Sequence, residues 1–462
     1  MAPRSQVRGV LVRLADAGCV EPDRPEGTGH GVLGPAGRRL RRLRSDTAGP
    51  ALTATALDLD VLEHAGRFDL LAGEAELEER RAEMVERGPV VALVGWCPAA
   101  DVPGLSACLA GVGGAVVPLR RPTDVEAPTL LRAGGAVHRS FAPLVRTYGT
   151  VPYDDVDPAV PTGIAYVVMF GLMFGDAGHG TLLLLAALLL RLGRPRRVAP
   201  LRSLWPFVAG AGLASTLAGV AYGEFFGPTG VLPVLWLSPL EDAMTLLASA
   251  VAFGALLLTV AYGVGTVNRW RESGPGRALY AVSGIAGAAS YLGLLLCAAG
   301  VMLGSVVLVA VGAAAGLTGL LLAGTGLFTA TDGGTGGVVQ TAVQLFDIVV
   351  RIFSNTVSFT RIAAFGLTHA ALGAVVWQGT TALGGRGVLA TAAAVVLFTV
   401  GNALAFALEG LVAGVQALRL TFYELFSRVF DVQGRPFEPW HIPTREYDNP
   451  PSGSTSALTV RR

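Results

Sequence analysis

Two arginines stand where charge is costly. Arg361 lies inside the apolar stretch Phe346 to Trp377, and Arg419 lies inside the next one. Both stretches read as membrane spans. The chain is able to keep charge out of such segments, since no residue between Ala278 and Thr331 is charged. A charge within a bilayer faces a partner or a water-filled path. Two fixed positive charges on the last two spans therefore point to ion movement. Few acids accompany them there, so their counter-charge is expected on another subunit.

The same two segments carry further polar side chains at helical spacing. Ser354, Arg361 and Thr368 recur every seven residues, with Ser358 close to that stripe and His369 at its border. Glu409, Gln416 and Tyr423 form a second such stripe, with Arg419 between the last two. Helical period places each set on one face. Polar stripes also join helices by hydrogen bonding. That reading serves the serines and threonines equally well, but it is a poor account of two arginines and a glutamate. Asp347 and Arg351 are four apart, the spacing of a local ion pair. Asp176 and His179 read either as a turn aspartate with a solvated histidine or as an ion-access pair. Glu224, in Gly223-Glu-Phe-Phe-Gly, falls at a membrane edge with its role open.

The elements that must hold these residues follow from composition. Of 462 residues, 52% are hydrophobic and only 15% charged, with mean hydropathy +0.54, which describes a polytopic membrane protein. Roughly the first 150 residues differ, being charged and broken by Pro and Gly, and they read as a small α/β lobe (1–150) ahead of a membrane domain (151–435) and a disordered tail (436–462). Met1 is not followed by a basic-then-apolar signal, so the lobe is expected to stay in the cytoplasm. Cys19, Cys97, Cys108 and Cys297 show neither metal nor disulfide spacing and read as packing residues. No cofactor or metal is expected. All 35 basic residues are arginine, so arginine at 361 was not chosen over lysine.

Apolar segments run roughly 163–191, 204–222, 245–267, 279–302, 304–328, 338–378 and 388–430. The first is interrupted by Gly175-Asp176-Ala177-Gly178-His179-Gly180. Five arginines follow it between Arg191 and Arg202, and Arg269, Arg271 and Arg277 form another basic stretch. Positive loops remain cytoplasmic. Both conditions, with a cytoplasmic lobe, hold only if 163–191 crosses and returns as a hairpin near Gly175-Asp176. Eight membrane segments result, with both termini in the cytoplasm. The last two segments have about 40 residues and no proline. At 1.5 Å per residue each would be a helix of ~60 Å, against a hydrocarbon core of ~30 Å, so each is expected to tilt steeply or protrude.

These residues resemble the membrane stator subunit (subunit a or subunit I) of rotary V/A-type ATPases, from about Pro89 to Phe430. The strongest piece is Ser354-Asn-Thr-Val-Ser-Phe-Thr-Arg-Ile-Ala-Ala-Phe-Gly-Leu-Thr-His-Ala, close to the family's SNT-SY-RL-A-LAHA signature, with Phe359 for the usual Tyr and Ile362 for Leu. Glu409-Gly410 followed by Leu418-Arg-Leu and Glu424 is similar to the second signature. Phe174-Gly-Asp-Ala-Gly-His-Gly, Gly223-Glu-Phe-Phe-Gly and Gly95-Trp-Cys-Pro also have counterparts.

The resemblance implies a role for each residue. Arg361 would face the carboxylate on each subunit of a rotating proteolipid ring, with Arg419 in support. Glu409, His369, Gln416, Ser358, Glu424 and Asp176 would line water-filled half-channels. The implied partners are the proteolipid ring, peripheral stalk subunits, the catalytic ATPase sector indirectly, and the lipid bilayer; nucleic acid is not among them. The implied place is a prokaryotic cell membrane. The chain departs from the family in its arm, which has about half the usual length. Val7 to Val20 and Val90 to Leu119 look like strand–helix pieces of the near lobe, Ala56 to Arg87 like a short charged helix, and Pro22 to Pro50 like a linker or deletion scar. The chain lacks a Walker A lysine motif, so it is not expected to hydrolyse ATP itself.

Two other classes remain open. A secondary transporter would use the arginines to bind an anionic substrate, and inverted repeats, which are not seen, would mark it. A purely structural scaffold is the third reading. Loop charge makes the topology testable: a reporter inserted near Arg196, and another at the C-terminus, should both report the cytoplasm. A periplasmic signal at Arg196 would overturn the hairpin.

Overall fold

The computed structural model describes residues 2–3, 6–22, 58–121, 125–130, 135–193, 201–331, 333–384, 387–429 and 434–442. It divides into two compact units, Met1–Leu131 with Gly434–Arg462, and Arg132–Gln433. The stretch read as a linker or scar falls, beyond Pro22, outside the described residues, as does the tail beyond 442.

The first unit is small and mixed. Helix α1 (Val7–Ala17) buries Val7, Val10, Leu11 and Leu14 at helical spacing and ends at Gly18, whose φ of 57° lets its N–H reach the carbonyls of Leu14 and Ala15. Strands β1 (Ala2–Pro3), β3 (Val85–Arg87) and β4 (Val90–Ala92) form one antiparallel sheet in the order β1-β4-β3, and β2 (Glu21–Pro22) pairs with β5 (Gly95–Trp96). Helices α2 (Leu59–His64), α3 (Phe68–Ala82) and α4 (Val102–Ala110) complete it. Asp58 caps α2 through the N–H of Asp60 at 2.9 Å. Arg8 of α1 donates to Glu74 of α3 at 2.6 Å.

The described residues 436–442, read from sequence as the start of the tail, contribute to this core. Trp440 and Ile442 are buried in it. The Trp440 indole donates to Glu76 at 3.0 Å and its backbone N–H to Val20 at 2.9 Å. Cys19 and Cys97, far apart in sequence, lie side by side here. Burial raises both thiols, Cys97 to about 12, which suits packing residues and not reactive thiolates.

The second unit is helical. It holds α5 (Ala136–Tyr148), α6 (Ala159–Met173), α7 (Ala177–Leu192), α8 (Trp205–Tyr222), α9 (Ala243–Tyr280, kinked at Gly274), α10 (Ile285–Met302), α11 (Val306–Thr329), α12 (Gly334–Ser358), α13 (Thr360–Leu383) and α14 (Val388–Leu420). A six-residue π-helical turn (Thr421–Phe426) and the short α15 (Ser427–Val429) come next. Among the described residues, six helical stretches are long and apolar enough to cross a membrane, and α6 and α7 are shorter apolar helices.

The interruption at Gly175-Asp176 does separate two antiparallel helices. Along α8, Val167, Gly171 and Gly175 of the α6 side meet Gly210, Ala214 and Ala218 in ascending order. Ala177, Gly180 and Leu184 of α7 meet Gly219, Thr216 and Gly212 in descending order. Helix α8 thus lies in the notch of a splayed hairpin. The contact is close because the residues are small: a Cβ on Gly219 would fall 2.1 Å from the backbone nitrogen of Ala177. Helices α10 and α11 use the same device, Gly293 facing the backbone of Gly316.

Two expectations change. The segment 338–378 is not one regular helix: it lies in a 50-residue helical stretch, Gly334–Leu383, interrupted at Phe359 between α12 and α13. Tight three-residue hydrogen bonds, Phe359 to Thr356 and Ile362 to Phe359, replace the regular ladder there. Second, Arg269 is not part of a solvated basic loop. It is fully buried in α9 and pairs with Glu272 at 2.8 Å. The adjacent Asn268, also fully buried, accepts from Val156 N–H and donates to the Val429 carbonyl, tying three segments together.

Asp155 completes this corner. Its carboxyl is buried, and burial, then the hydrogen bond and negative charge of neighbouring Glu272, push it up to about 7. The folded chain therefore holds a proton here between its unfolded pKa of about 4 and pH 7, and stability should fall as pH rises through that window. Asp155→Asn should remove this loss. Thermal unfolding in detergent should show the variant more stable than the parent at pH 8, with the gap closing by pH 5.

Candidate functional site

Phe359 sets the position of Arg361. Its ring is fully buried, seated over Gly254 of α9, where a Cβ would lie 2.2 Å from the ring. Two residues on, the Arg361 guanidinium donates to Glu424 Oε1 at 2.7 Å. Ser358 donates to the same oxygen. A charge-assisted bond is the strong kind, and burial of the acid limits screening by water. The sequence points to a counter-charge for Arg361 on another subunit. Glu424 supplies one within this chain, 63 residues away.

Glu424 sits in the π-helical turn. One extra residue in a turn rotates the residues after it by about 100° relative to a regular helix. Glu424 is buried while its neighbour Tyr423 is 71% exposed. Arg419 is exposed, within electrostatic reach of Glu424, and makes no ion pair among the described residues. Arg361 itself keeps a side-chain exposure of 25%. The arginines thus lie at a surface of the membrane unit, along with Ser354 and Thr368, which are exposed.

A second cluster lies deeper. His369 shares a hydrogen bond between Nδ1 and Glu409 Oε2. Asp176 is fully buried at the N-terminus of α7 and accepts three backbone N–H bonds, from His179 at 2.9 Å, Phe226 at 3.0 Å and Gly227 at 2.8 Å. Phe226 has φ of 52°, the one positive value outside glycine among the described residues. A bulky residue holds such a conformation only where its surroundings impose it, and here the Asp176 carboxylate fixes its N–H. The ring of His179 is 5.6 Å from that of His369 and is enclosed by Phe174, Phe226 and Phe406. Glu224 is buried within electrostatic reach of Asp176, His369 and Glu409.

The sequence stripes are only partly what the fold brings together. His369, at the border of its stripe, turns inward to Glu409, whereas Thr368 does not. Gln416 has its Oε1 buried and without a hydrogen-bond partner. Asp347 and Arg351 form the local pair that their spacing implies, at 2.5 Å. His179 is 2% exposed, which excludes the solvated turn histidine. Its part in the cluster, like that of Glu224, was signalled only by polar residues within apolar surroundings. Arg361 Nε, Glu424 Oε2 and Glu409 Oε1 are also buried without hydrogen bonds. So many unsatisfied groups in one apolar unit mark a polar interior.

Residues 82–200 and 336–442 match the V-type ATPase 116kDa subunit family. The chain resembles this family over these two segments, just under half of its length. It is 29% identical over 367 residues to the A-type ATP synthase subunit I of Aeropyrum pernix, covering 69% of this chain and 51% of that protein. It is 28% identical over 396 residues to that of Saccharolobus solfataricus, covering 70% and 56%. With the V-type proton ATPase 116 kDa subunit a 2 of Mus musculus it shares 36% identity over 145 residues, 28% of this chain and 17% of that protein. The chain thus spans about half the length of these archaeal relatives. Asp176, His179, Arg361, His369, Glu409, Arg419 and Glu424 fall within the two matched segments, while Glu224 and Phe226 lie between them.

The seating of Phe359 over Gly254 is the packing on which the position of Arg361 in the membrane unit depends. Gly254→Val should displace the ring and destabilise the membrane unit by ~1–3 kcal/mol, the range of core overpacking. A lowered melting temperature in detergent would report it, and an unchanged one would refute the contact.

Proposed function

We propose that the chain is the membrane stator subunit of a V/A-type rotary ATPase and carries the ion path beside a rotating proteolipid ring. The observation that carries this reading is Arg361: a guanidinium at the surface of an apolar helical unit, held by Glu424 and Ser358 yet still open on one side. A guanidinium keeps its charge at any physiological pH. Next to a ring carboxyl it favours the ionised form, so a protonated ring site arriving there gives up its proton. That site is reloaded from the other half-channel once it has passed. The fixed charge also bars direct leakage between the two half-channels.

Within this reading the two clusters divide the work. His369, Glu409, Asp176 and Glu224 line one access path, where side chains and water pass the proton on. Glu424 holds Arg361 in place between encounters, and the passing ring carboxylate competes with it for the guanidinium. Arg419 adds positive potential on the same surface, and Gln416 and Ser358 offer hydrogen bonds along it. The chain is non-catalytic; nucleotide chemistry belongs to a separate ATPase sector reached through stalk subunits. Both termini and the N-terminal unit lie in the cytoplasm, and the membrane is the cell membrane.

Arg361→Ala, in an assembled complex, should abolish ATP-driven ion gradients in vesicles. Arg419→Ala should give an intermediate loss and Glu409→Gln a milder one, because water partly bridges a half-channel. Near-normal pumping by an assembled Arg361→Ala complex would overturn the assignment.

A further inference from the structure

Asp176, His179 and His369 each bring a ligand atom to within 4.8 Å of the others, and all three are buried. Two imidazoles and a carboxylate are a three-ligand set for zinc, with a fourth position left for water. Nitrogen-rich donors select a transition-metal dication over calcium or magnesium. Bonds of ~2.0–2.2 Å would set tetrahedral ligand atoms ~3.3–3.6 Å apart. The cluster therefore needs to close by about 1 Å, which rotation of one imidazole can supply.

Three further observations point to a ligand. His179 is 2% exposed, and its ring nitrogens make no hydrogen bond of ordinary geometry, their polar neighbours being the Asn402 backbone and Asp176 Oδ1, 3.7 Å from Nδ1. His369 commits Nδ1 to the Glu409 carboxylate, the arrangement that orients a metal-binding imidazole and raises the basicity of its other nitrogen. Asp176 is fixed by three backbone N–H groups. A carboxylate accepts about four hydrogen bonds, so one lone pair remains for a cation.

We infer that Asp176, His179 and His369 form a binding site for a transition-metal dication, for which Zn²⁺ is the probe. Bound there, the ion occupies the side chains assigned above to the access path and stops ion flow. The binding site stands on coordination chemistry alone; only the block rests on the proposed function.

The test uses the purified full-length chain, stripped by chelator, equilibrated with ZnCl₂ and desalted. One zinc per chain should be retained, and X-ray absorption at the zinc edge should show two imidazole ligands in the unmodified protein. His179→Ala and His369→Ala should each weaken binding at least tenfold, while His138→Ala, at an ion pair elsewhere, should not. A zinc environment without two imidazoles, or retention equal in both histidine variants and the parent, would overturn the site. A second arm separates the readings: Zn²⁺ should stop ATP-driven gradient formation by vesicles carrying the unmodified complex. Two-imidazole binding with undiminished pumping would leave the site standing and remove these residues from the ion path.

Discussion

Desolvation of charge is the constraint on which the rest of the membrane unit depends. An isolated ion in an apolar interior is unstable by many kcal/mol, so it must be paired, hydrogen-bonded or hydrated. Arg361 meets this requirement with Glu424 and Ser358. Arg269 meets it with Glu272. Asp176 meets it with three backbone N–H groups, which is a different solution because it adds no opposite charge. Each solution fixes backbone geometry. The Arg361–Glu424 bond accompanies a break in one helix and a π-helical turn in the other. The Asp176 cradle accompanies the hairpin turn and the left-handed Phe226. The irregular backbone of this unit is thus concentrated where the charges are.

Legibility in the sequence tracks how local the determining physics is. The hairpin was legible because loop charge and a Gly-rich interruption both lie within one short segment. The Asp347–Arg351 pair was legible because helical period alone makes it. The break at Phe359 was not, since neither proline nor a glycine pair marks it. It depends on a notch at Gly254, more than 100 residues earlier. The partner of Arg361 was hidden for a similar reason, because a π-helical turn resets the period that would place Glu424. Burial of His179 was hidden by its neighbours, as a Gly-rich turn reads as solvated until Phe174, Phe226 and Phe406 close over it.

The N-terminal unit shows the opposite balance. Its helices follow hydrophobic period closely, with Val7, Val10, Leu11 and Leu14 forming the buried face of α1. Its core nevertheless needs Trp440 and Ile442 from the far end of the chain. The described segment 434–442 has no period to read, and only the aromatic and aliphatic pair hints that it is ordered. The indole accounts for its burial twice over, by apolar area and by a hydrogen bond from Nε1 to Glu76.

The relation between the two polar clusters is set by helix geometry. Arg361 and His369 are eight residues apart on α13, hence ~12 Å along the axis and about 80° around it. Thr368, seven residues from Arg361, returns to nearly the same face and is exposed. His369, one residue further, turns into the interior and is buried. A single helix therefore presents its fixed charge outward and its titratable imidazole inward, about two turns apart. Under the proposed function this offset lets a proton travel inside the unit and emerge beside the arginine. A strict heptad placement of the histidine would have put it on the same exposed stripe as the guanidinium, away from Glu409.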